Sequence, residues 1–395
     1  MPAWTGPLDV SDIVDRSIVG RDDVTRLLVR AVALEASEVI FQTGRPVLAQ
    51  IHGRLLALTR QWLQPATISR ISVDLTGTDS MMSKLYSGRD ADRAVPIEDR
   101  SAVDATGEPL RHRFRVNLTP NHYEGDIGVQ LVCRHIPFMP PTVTEIGIEP
   151  GIVAESTPAQ GAVVIAGETG SGKTTTFAAL IRRVLEESTP IVGNVLTFEA
   201  PIEFVFEGIS SATCTISQHE IGVHLGSFAD GVRGAMRRKP ALIVVGEVRD
   251  RETIAAMVEA SNTGHPIYTT THANDVASII RRLTLKFPAE MQFQAFHDVL
   301  STVRLLISQV LVPRVGGGRT CLREWQVVTD PVRREISEAG PEHATVVTRD
   351  IVDRDVDGRS MRSTVHLAHA AGTIDAETAR RVLYRYGYRN DPLAA

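Results

Sequence analysis

The segment GETGSGKT, Gly167 to Thr174, holds every fixed position of the phosphate-binding pattern G-x-x-x-x-G-K-[ST]. Glycines let consecutive backbone N–H groups turn inward on phosphate oxygens, and the start of a following helix adds a positive dipole. Lys173 is placed to bridge the β- and γ-phosphates, and the Thr174 hydroxyl to ligate Mg2+. Gly167, Glu168, Thr169, Gly170, Ser171, Gly172, Lys173, Thr174 and Thr175 are therefore expected to bind a nucleoside triphosphate. A chance match on a glycine-rich turn is the bland alternative. Against it stand AVVIA before the loop and TTFAALIRRVLEE after it, the strand–loop–helix context that the pattern requires.

Three further segments carry chemistry. ALIVVGEVRD puts Glu247 just past an apolar strand, and strand C-termini of a parallel sheet open onto the ligand crevice. There a carboxylate holds Mg2+ through water or polarises an attacking water. Asp250 precedes RETIAAMVEASNTG and reads as the N-cap of that helix. LTFEAPIEFVF offers Glu199 and Glu203 on either side of Pro201. Each suits water activation beside a γ-phosphate, or is equally a solvated loop residue. GHPIYTTTHAND holds His265 and His272 seven positions apart. On one strand that spacing spans about 23 Å and sets the two rings on opposite faces, so they do not chelate one metal. Thr269 to Thr271 and His272 would then end a strand beside the crevice, where hydroxyls and a neutral imidazole report the γ-phosphate. Taken singly, either histidine is as readily structural.

Positioning these residues takes a substantial α/β framework. A chain of 395 residues has room for two or three domains, and 43% hydrophobic with 23% charged residues is the balance of a folded soluble protein. A net charge of −5 supplies no global basic field for nucleic acid or anionic lipid. Cys133, Cys214 and Cys321 form no CxxC pair, which fits a reducing compartment and offers no zinc framework. The start MPAWTGPLDVSD carries acidic residues where a signal peptide is basic, and no stretch approaches the roughly 18 apolar residues of a membrane span. Membrane contact is expected through partners.

Along the chain, DDVTRLLVRAVALEA sets Val24, Leu27, Leu28, Ala31 and Val32 on one helical stripe. SEVIFQTGRPVLAQIHGRL reads as two short strands around the turn Thr43-Gly44-Arg45-Pro46. RHRFRVNL alternates Phe114, Val116 and Leu118 with Arg113, Arg115 and Asn117, and DIGVQLVCRHIP does the same with Ile127, Val129, Leu131 and Cys133. Pro137, Pro140, Pro141 and Pro150 mark residues 137–150 as a linker after a first domain at 1–136. From 151 to 330, wholly apolar strands alternate with helices, the pattern of a parallel sheet covered on both faces. Residues 331–395 read as a charged tail, loop-like to Met361, with TIDAETARRVLYRYGY as a terminal helix ending at Gly387.

In this order the four segments resemble the secretion ATPase superfamily, the hexameric motors of type II and type IV secretion, conjugation and type IV pili. The likeness spans roughly residues 25 to 315 and covers the Walker A loop, the aspartate box FEAPIEF, the Walker B segment LIVVGEVRD and the histidine box TGHPIYTTTHAND. It implies a PAS-like N-terminal α+β domain, then a RecA-like P-loop ATPase domain with a mainly parallel sheet, and nucleotide between the two. It also implies that Glu203 is the catalytic glutamate and Glu247 the Walker B glutamate. His265 and His272 become histidine-box residues, with Thr271 a further sensor. Arginines of the N-domain reach the phosphates in that family, which picks out Arg113, Arg115 and Arg134. The implied cofactors are ATP and Mg2+, and the implied partners a homohexamer and inner-membrane secretion or conjugation machinery, at the cytoplasmic side.

Departures narrow the branch. Ala200 stands where pilus motors usually carry Asp, no A-I-R-x-L-I-R signature follows residue 290, and the CxxC pairs of the type II zinc module are absent. ASEVIFQTGRPVLAQIHGRL and SFADGVRGAMRRKPALIVVGE resemble the Dot/Icm type IVB ATPases and the related plasmid conjugal-transfer ATPases. The expected function is a motor hydrolysing ATP to power type IVB-like secretion or conjugal transfer. Its alternatives are a pilus assembly or retraction ATPase, a RecA-like nucleic-acid motor and a nucleotide-gated adaptor. Basic residues cluster only at RRKP (237–240) and at Arg281-Arg282, so direct nucleic-acid binding is not expected.

Overall fold

The computed structural model describes residues 20–51, 54–103, 107, 109–136, 139–354 and 359–394, and Pro137 of the expected linker lies outside them. The chain divides into two compact units: one reaches Met139 and takes in Glu203–Val205, and the other comprises Pro140–Ile202 and Phe206–Ala395. Among the described residues no helix is long and apolar enough to cross a membrane.

In the first unit the apolar stripe forms α1 (Arg21–Ala33), burying Val24, Leu27, Leu28 and Ala31. Strands β1 (Ala36–Gln42) and β2 (Leu48–Ile51) pair antiparallel. At the turn between them Gly44 takes φ 72°, and a Cβ there would come within 2.2 Å of the Tyr123 ring. Then follow β3 (Arg54–Ala57), α2 (Pro65–Thr76), α3 (Ser80–Tyr86), β4 (Ala91–Val103), β5 (Pro109–Tyr123) and β6 (Asp126–Ile136). The sheet is antiparallel throughout, in the order β3-β2-β1-β6-β5-β4. Its inward residues Phe114, Val116, Leu118, Val129, Leu131 and Cys133 form one core with the apolar faces of the helices. Two residues depart from strict alternation. Ile127, beside the β5–β6 turn, is 40% exposed, and Arg113 is buried although the pattern assigns it to the solvated face.

The second unit contains α4 (Pro150–Glu155), β7 (Gly161–Ala166), α5 (Lys173–Glu186), β8 (Gly193–Glu199), β9 (Cys214–Glu220), α6 (Phe228–Ala235), β10 (Pro240–Val245) and α7 (Arg251–Asn262). It continues through β11 (Pro266–Thr271), α8 (Ile279–Thr284), α9 (Gln292–Thr302), β12 (Val303–Pro313) and β13 (Arg319–Val327). Its sheet runs β13-β12-β7-β11-β10-β8-β9, parallel except for the β12–β13 hairpin. Every residue of β7 and β11 is buried, which is why β7 is apolar without alternation.

Two expectations need correction. The stretch read as a linker is tied down from Pro140 onward: Arg182 donates to the Pro140 carbonyl at 2.6 Å, and buried Arg323 donates to the Gly147 carbonyl and pairs with Glu149. The charged tail is not a loop. It folds as α10 (Asp330–Asp353), α11 (Met361–Ala370) and α12 (Ala376–Arg385). Helix α10 carries Pro331 in its first turn and breaks at Gly340, where φ is 71°, before Pro341. That break divides its apolar positions into two short runs, which hides their period, yet Ile336, Ala344 and Val352 all enter the main core of the unit. The terminal helix appears as expected, with Gly387 just past its end at φ 88°.

Candidate functional site

Strand register assembles the site. Ala166 at the end of β7 is level with Thr271 of β11 and Ser308 of β12, while Val245 of β10 is level with Thr269 and with Phe198 of β8. The residues that follow therefore share one sheet edge: Gly167, His272, Gln309, Gly246-Glu247 and Glu199. This is the carboxyl edge, where open α/β sheets take ligands.

The loop between β7 and α5 has Gly167 at φ 152°, Gly170 at 79° and Gly172 at 86°. A Cβ on Gly167 would lie 2.5 Å from Ser171 Oγ and 2.6 Å from the Gln309 carbonyl oxygen, so only glycine fits. Lys173 opens α5, and its Nζ donates to the carbonyls of Gly167 and Glu168 at 2.8 and 2.9 Å. Thr174 and Thr175 follow in the first helical turn, partly exposed. Behind the loop, Gln309 Nε2 donates to the Ser171 carbonyl at 2.6 Å and its Oε1 accepts from Thr176 Oγ1 at 2.9 Å. Motif reasoning passes over Gln309. The available signal is a lone carboxamide inside the apolar run LLISQVLV, since a buried polar group must be satisfied there.

Beyond their last ladder pair, β10 and β11 stay knitted: Thr270 Oγ1 donates to the Gly246 carbonyl at 2.6 Å and Val248 N to the Thr270 carbonyl at 3.0 Å. This sets His272 Nε2 3.5 Å from Glu247 Oε1, both side chains partly exposed. Asp250 caps α7 as expected, accepting from Thr253 N at 2.8 Å. The threonines differ from expectation. Thr269 and Thr271 are enclosed, Thr271 only 2% exposed, and the Thr270 hydroxyl is spent on Gly246. The cause is that Thr271 still lies within the ladder against Ala166, inside a sheet covered on both faces. The structure also separates the two histidines. His265 sits just before β11, its carbonyl accepting from Gly161 N and its Nδ1 3.0 Å from the Ala260 carbonyl, about 23 Å along the strand from His272. It is not brought into the cluster.

Glu199 is engaged by Thr197 Oγ1 at 2.6 Å and Gln218 Nε2 at 3.1 Å. Glu203 belongs to the first unit, where it lies 3.2 Å from Arg115 Nη1. Arg115 also pairs with Asp92 at 2.6 Å, and that carboxylate, aided by Glu203, holds the guanidinium pKa above its ordinary value. Arg134 stands opposite Arg115 in the β5–β6 ladder, exposed and paired with Glu38 at 2.8 Å. Arg113, two residues from Arg115, is buried.

A cavity of about 740 Å³ opens between Gly167, Glu168 and Thr169 on one side and His272, Ala273 and Asn274 on the other. Ser278, Arg281, Arg282 and Leu285 complete its lining. The pair Arg281-Arg282, read from sequence as a small basic cluster, thus faces the loop that is shaped for phosphate. The glycine cradle suits phosphate, and the Thr174 hydroxyl and Glu247 carboxylate are the hard oxygen donors that suit Mg2+.

Residues 15–349 match the family model described as type II/IV secretion system protein. The X-ray structure of the Legionella pneumophila ATPase DotB aligns with a TM-score of 0.78 at 37% identity, over 94% of this chain and 98% of that one. The type IV pilus retraction ATPase PilT of Pseudomonas aeruginosa is 30% identical over 317 residues, 80% of this chain and 86% of PilT. A crystal structure of the pilus retraction motor PilT with bound ADP aligns with a TM-score of 0.75 at 26% identity, over 94% of this chain and 98% of that one.

Proposed function

Because the chain belongs to the type II/IV secretion system protein family, whose similar members are ATPases, we propose that it hydrolyses ATP to drive a type IVB-like secretion or conjugal-transfer machine. The observation that carries this is the shared sheet edge: a glycine cradle with Lys173, and beside it Glu247 3.5 Å from His272. Lys173 and the loop amides hold the β- and γ-phosphates, and the Thr174 hydroxyl and Glu247 carboxylate would hold Mg2+ when it is bound. Mg2+, when bound, neutralises charge on the phosphate oxygens. Glu247 orients and polarises the attacking water, and His272 steadies that carboxylate from its ring nitrogen. Water adds to the γ-phosphorus, the bond to the β–γ bridging oxygen breaks, and ADP and phosphate result. Glu203 as catalytic glutamate, and Arg113, Arg115 and Arg134 as sources of positive charge, rest on the family resemblance. Of the three arginines, the solvent-accessible Arg115 and Arg134 suit that role better than buried Arg113.

The branch is supported by the 37% identity with DotB over nearly the full length of both chains, against 26% with the PilT structure. Ala200 and the missing retraction signature point the same way. A pilus motor is the second reading, favoured by the 30% identity with PilT of P. aeruginosa. We read the first unit as PAS-like, the second as RecA-like, and the working form as a homohexamer recruited to inner-membrane partners from the cytoplasmic side.

The direct test is phosphate release from ATP by the purified chain and by Lys173→Ala. Release by the parent and none by the variant is expected, and a parent chain with no ATP-dependent release would refute the proposal.

A further inference from the structure

We propose that Arg385, the last residue of α12, is a positioning residue of the nucleotide site: it neutralises Glu168 of the phosphate-binding loop so that the loop can receive a polyanion. This rests on the ATP-binding reading above and extends it to the C-terminal helix.

Glu168 is the second residue of the loop, and it lines the cavity between Gly167 and Thr169. Its side chain is 63% exposed, so the carboxylate carries its charge into the space where phosphate is expected. A lone anion there opposes a triphosphate. The structure supplies the counter-charge: Arg385 Nη2 lies 2.7 Å from Glu168 Oε1.

Helix α12 is built to hold that contact. Asp375 caps its start by accepting from Thr378 N at 2.8 Å, and the helix buries its own Ala379, Val382 and Leu383. One residue past Arg385, the Tyr386 hydroxyl lies 3.3 Å from Ser308 Oγ, and Ser308 precedes Gln309, which braces the loop from behind. The helix end is therefore anchored to the strand that supports the loop. An ion pair this exposed adds little to fold stability, so its consequence falls on what the loop binds.

Charge counting sets the test. The pair contributes no net charge, Arg385→Ala leaves −1, Glu168→Gln leaves +1, and the double variant returns to zero. Titration of each full-length variant with a fluorescent ATP analogue should show Arg385→Ala binding roughly three- to tenfold more weakly, as one unscreened charge within a Debye length requires. Glu168→Gln should bind more tightly than the parent, and the double variant should return to the parent value. Arg385→Lys should recover most of the loss, and the differences should shrink in high salt. Melting temperature without nucleotide should move little in any of them. The inference is overturned if Arg385→Ala binds like the parent, or if the double variant stays as weak as Arg385→Ala, which would make Arg385 a direct ligand or a purely structural residue. A parent chain that binds no ATP sinks the functional reading itself, and this inference with it.

Discussion

Glu247 and His272 come from different strands and meet only because β10 and β11 remain hydrogen-bonded past the end of their ladder. If Glu247 polarises the attacking water, Glu247→Gln keeps the shape and loses the charge. ATP should stay bound while hydrolysis slows by orders of magnitude, measured as single-turnover phosphate release. A variant hydrolysing at the parent rate would show that another group activates water. Gln309 acts from behind. Gln309→Ala leaves the buried Ser171 carbonyl and Thr176 hydroxyl without their partner, and unsatisfied buried groups cost about 1–3 kcal/mol each. Lower stability by calorimetry together with looser ATP binding is the expected result. Loss of stability alone would mean that the brace does not shape the loop.

At the level of elements, α10 is the piece whose placement matters most. Arg349 on this helix pairs with fully buried Glu324 of β13 at 2.8 Å and with Asp275, three residues beyond His272, at 3.0 Å. Burial opposes the charge on Arg349, but the Glu324 hydrogen bonds more than offset it and the net shift is upward. Glu324 also accepts from the backbone of Val276 at 2.7 Å. One carboxylate thus joins the C-terminal helices, β13 and the end of the histidine-box segment. Glu324→Ala leaves Arg349 largely buried beside fewer partners, and breaking such a pair costs about 3–5 kcal/mol. The urea midpoint should fall accordingly. A loss under about 1 kcal/mol would mean that Asp275 and Asp353 compensate.

At the level of the whole molecule, the proposed hydrolysis has a use if it moves one folded unit against another. Rings achieve this when a heterologous interface closes into cyclic symmetry. Light scattering with and without a slowly hydrolysed ATP analogue should show a nucleotide-promoted homohexamer, and His272→Ala should assemble normally yet hydrolyse slowly and fail in a cellular transfer assay. A strict monomer at tens of micromolar with nucleotide would rule out the ring, and full transfer by His272→Ala would remove the histidine from the mechanism.

Much of this was legible without coordinates, because it is encoded locally. The phosphate loop needs only Gly167, Gly172, Lys173 and Thr174 at set spacing, Asp250 caps its own helix three residues on, and fully apolar β7 and β10 announce a buried parallel sheet. Such features depend on backbone geometry over a few residues, which sequence specifies directly. What tertiary structure alone decided is relative placement. Register put His272 beside Glu247 and left His265 at the far end of β11, and it enclosed Thr271, which the strand pattern had assigned to the crevice. Gln309 reaches Ser171 from 138 positions further along the chain, and Arg385 reaches Glu168 from later still. No local pattern records such partners, since their contact energy exists only once the strands and the terminal helix have packed.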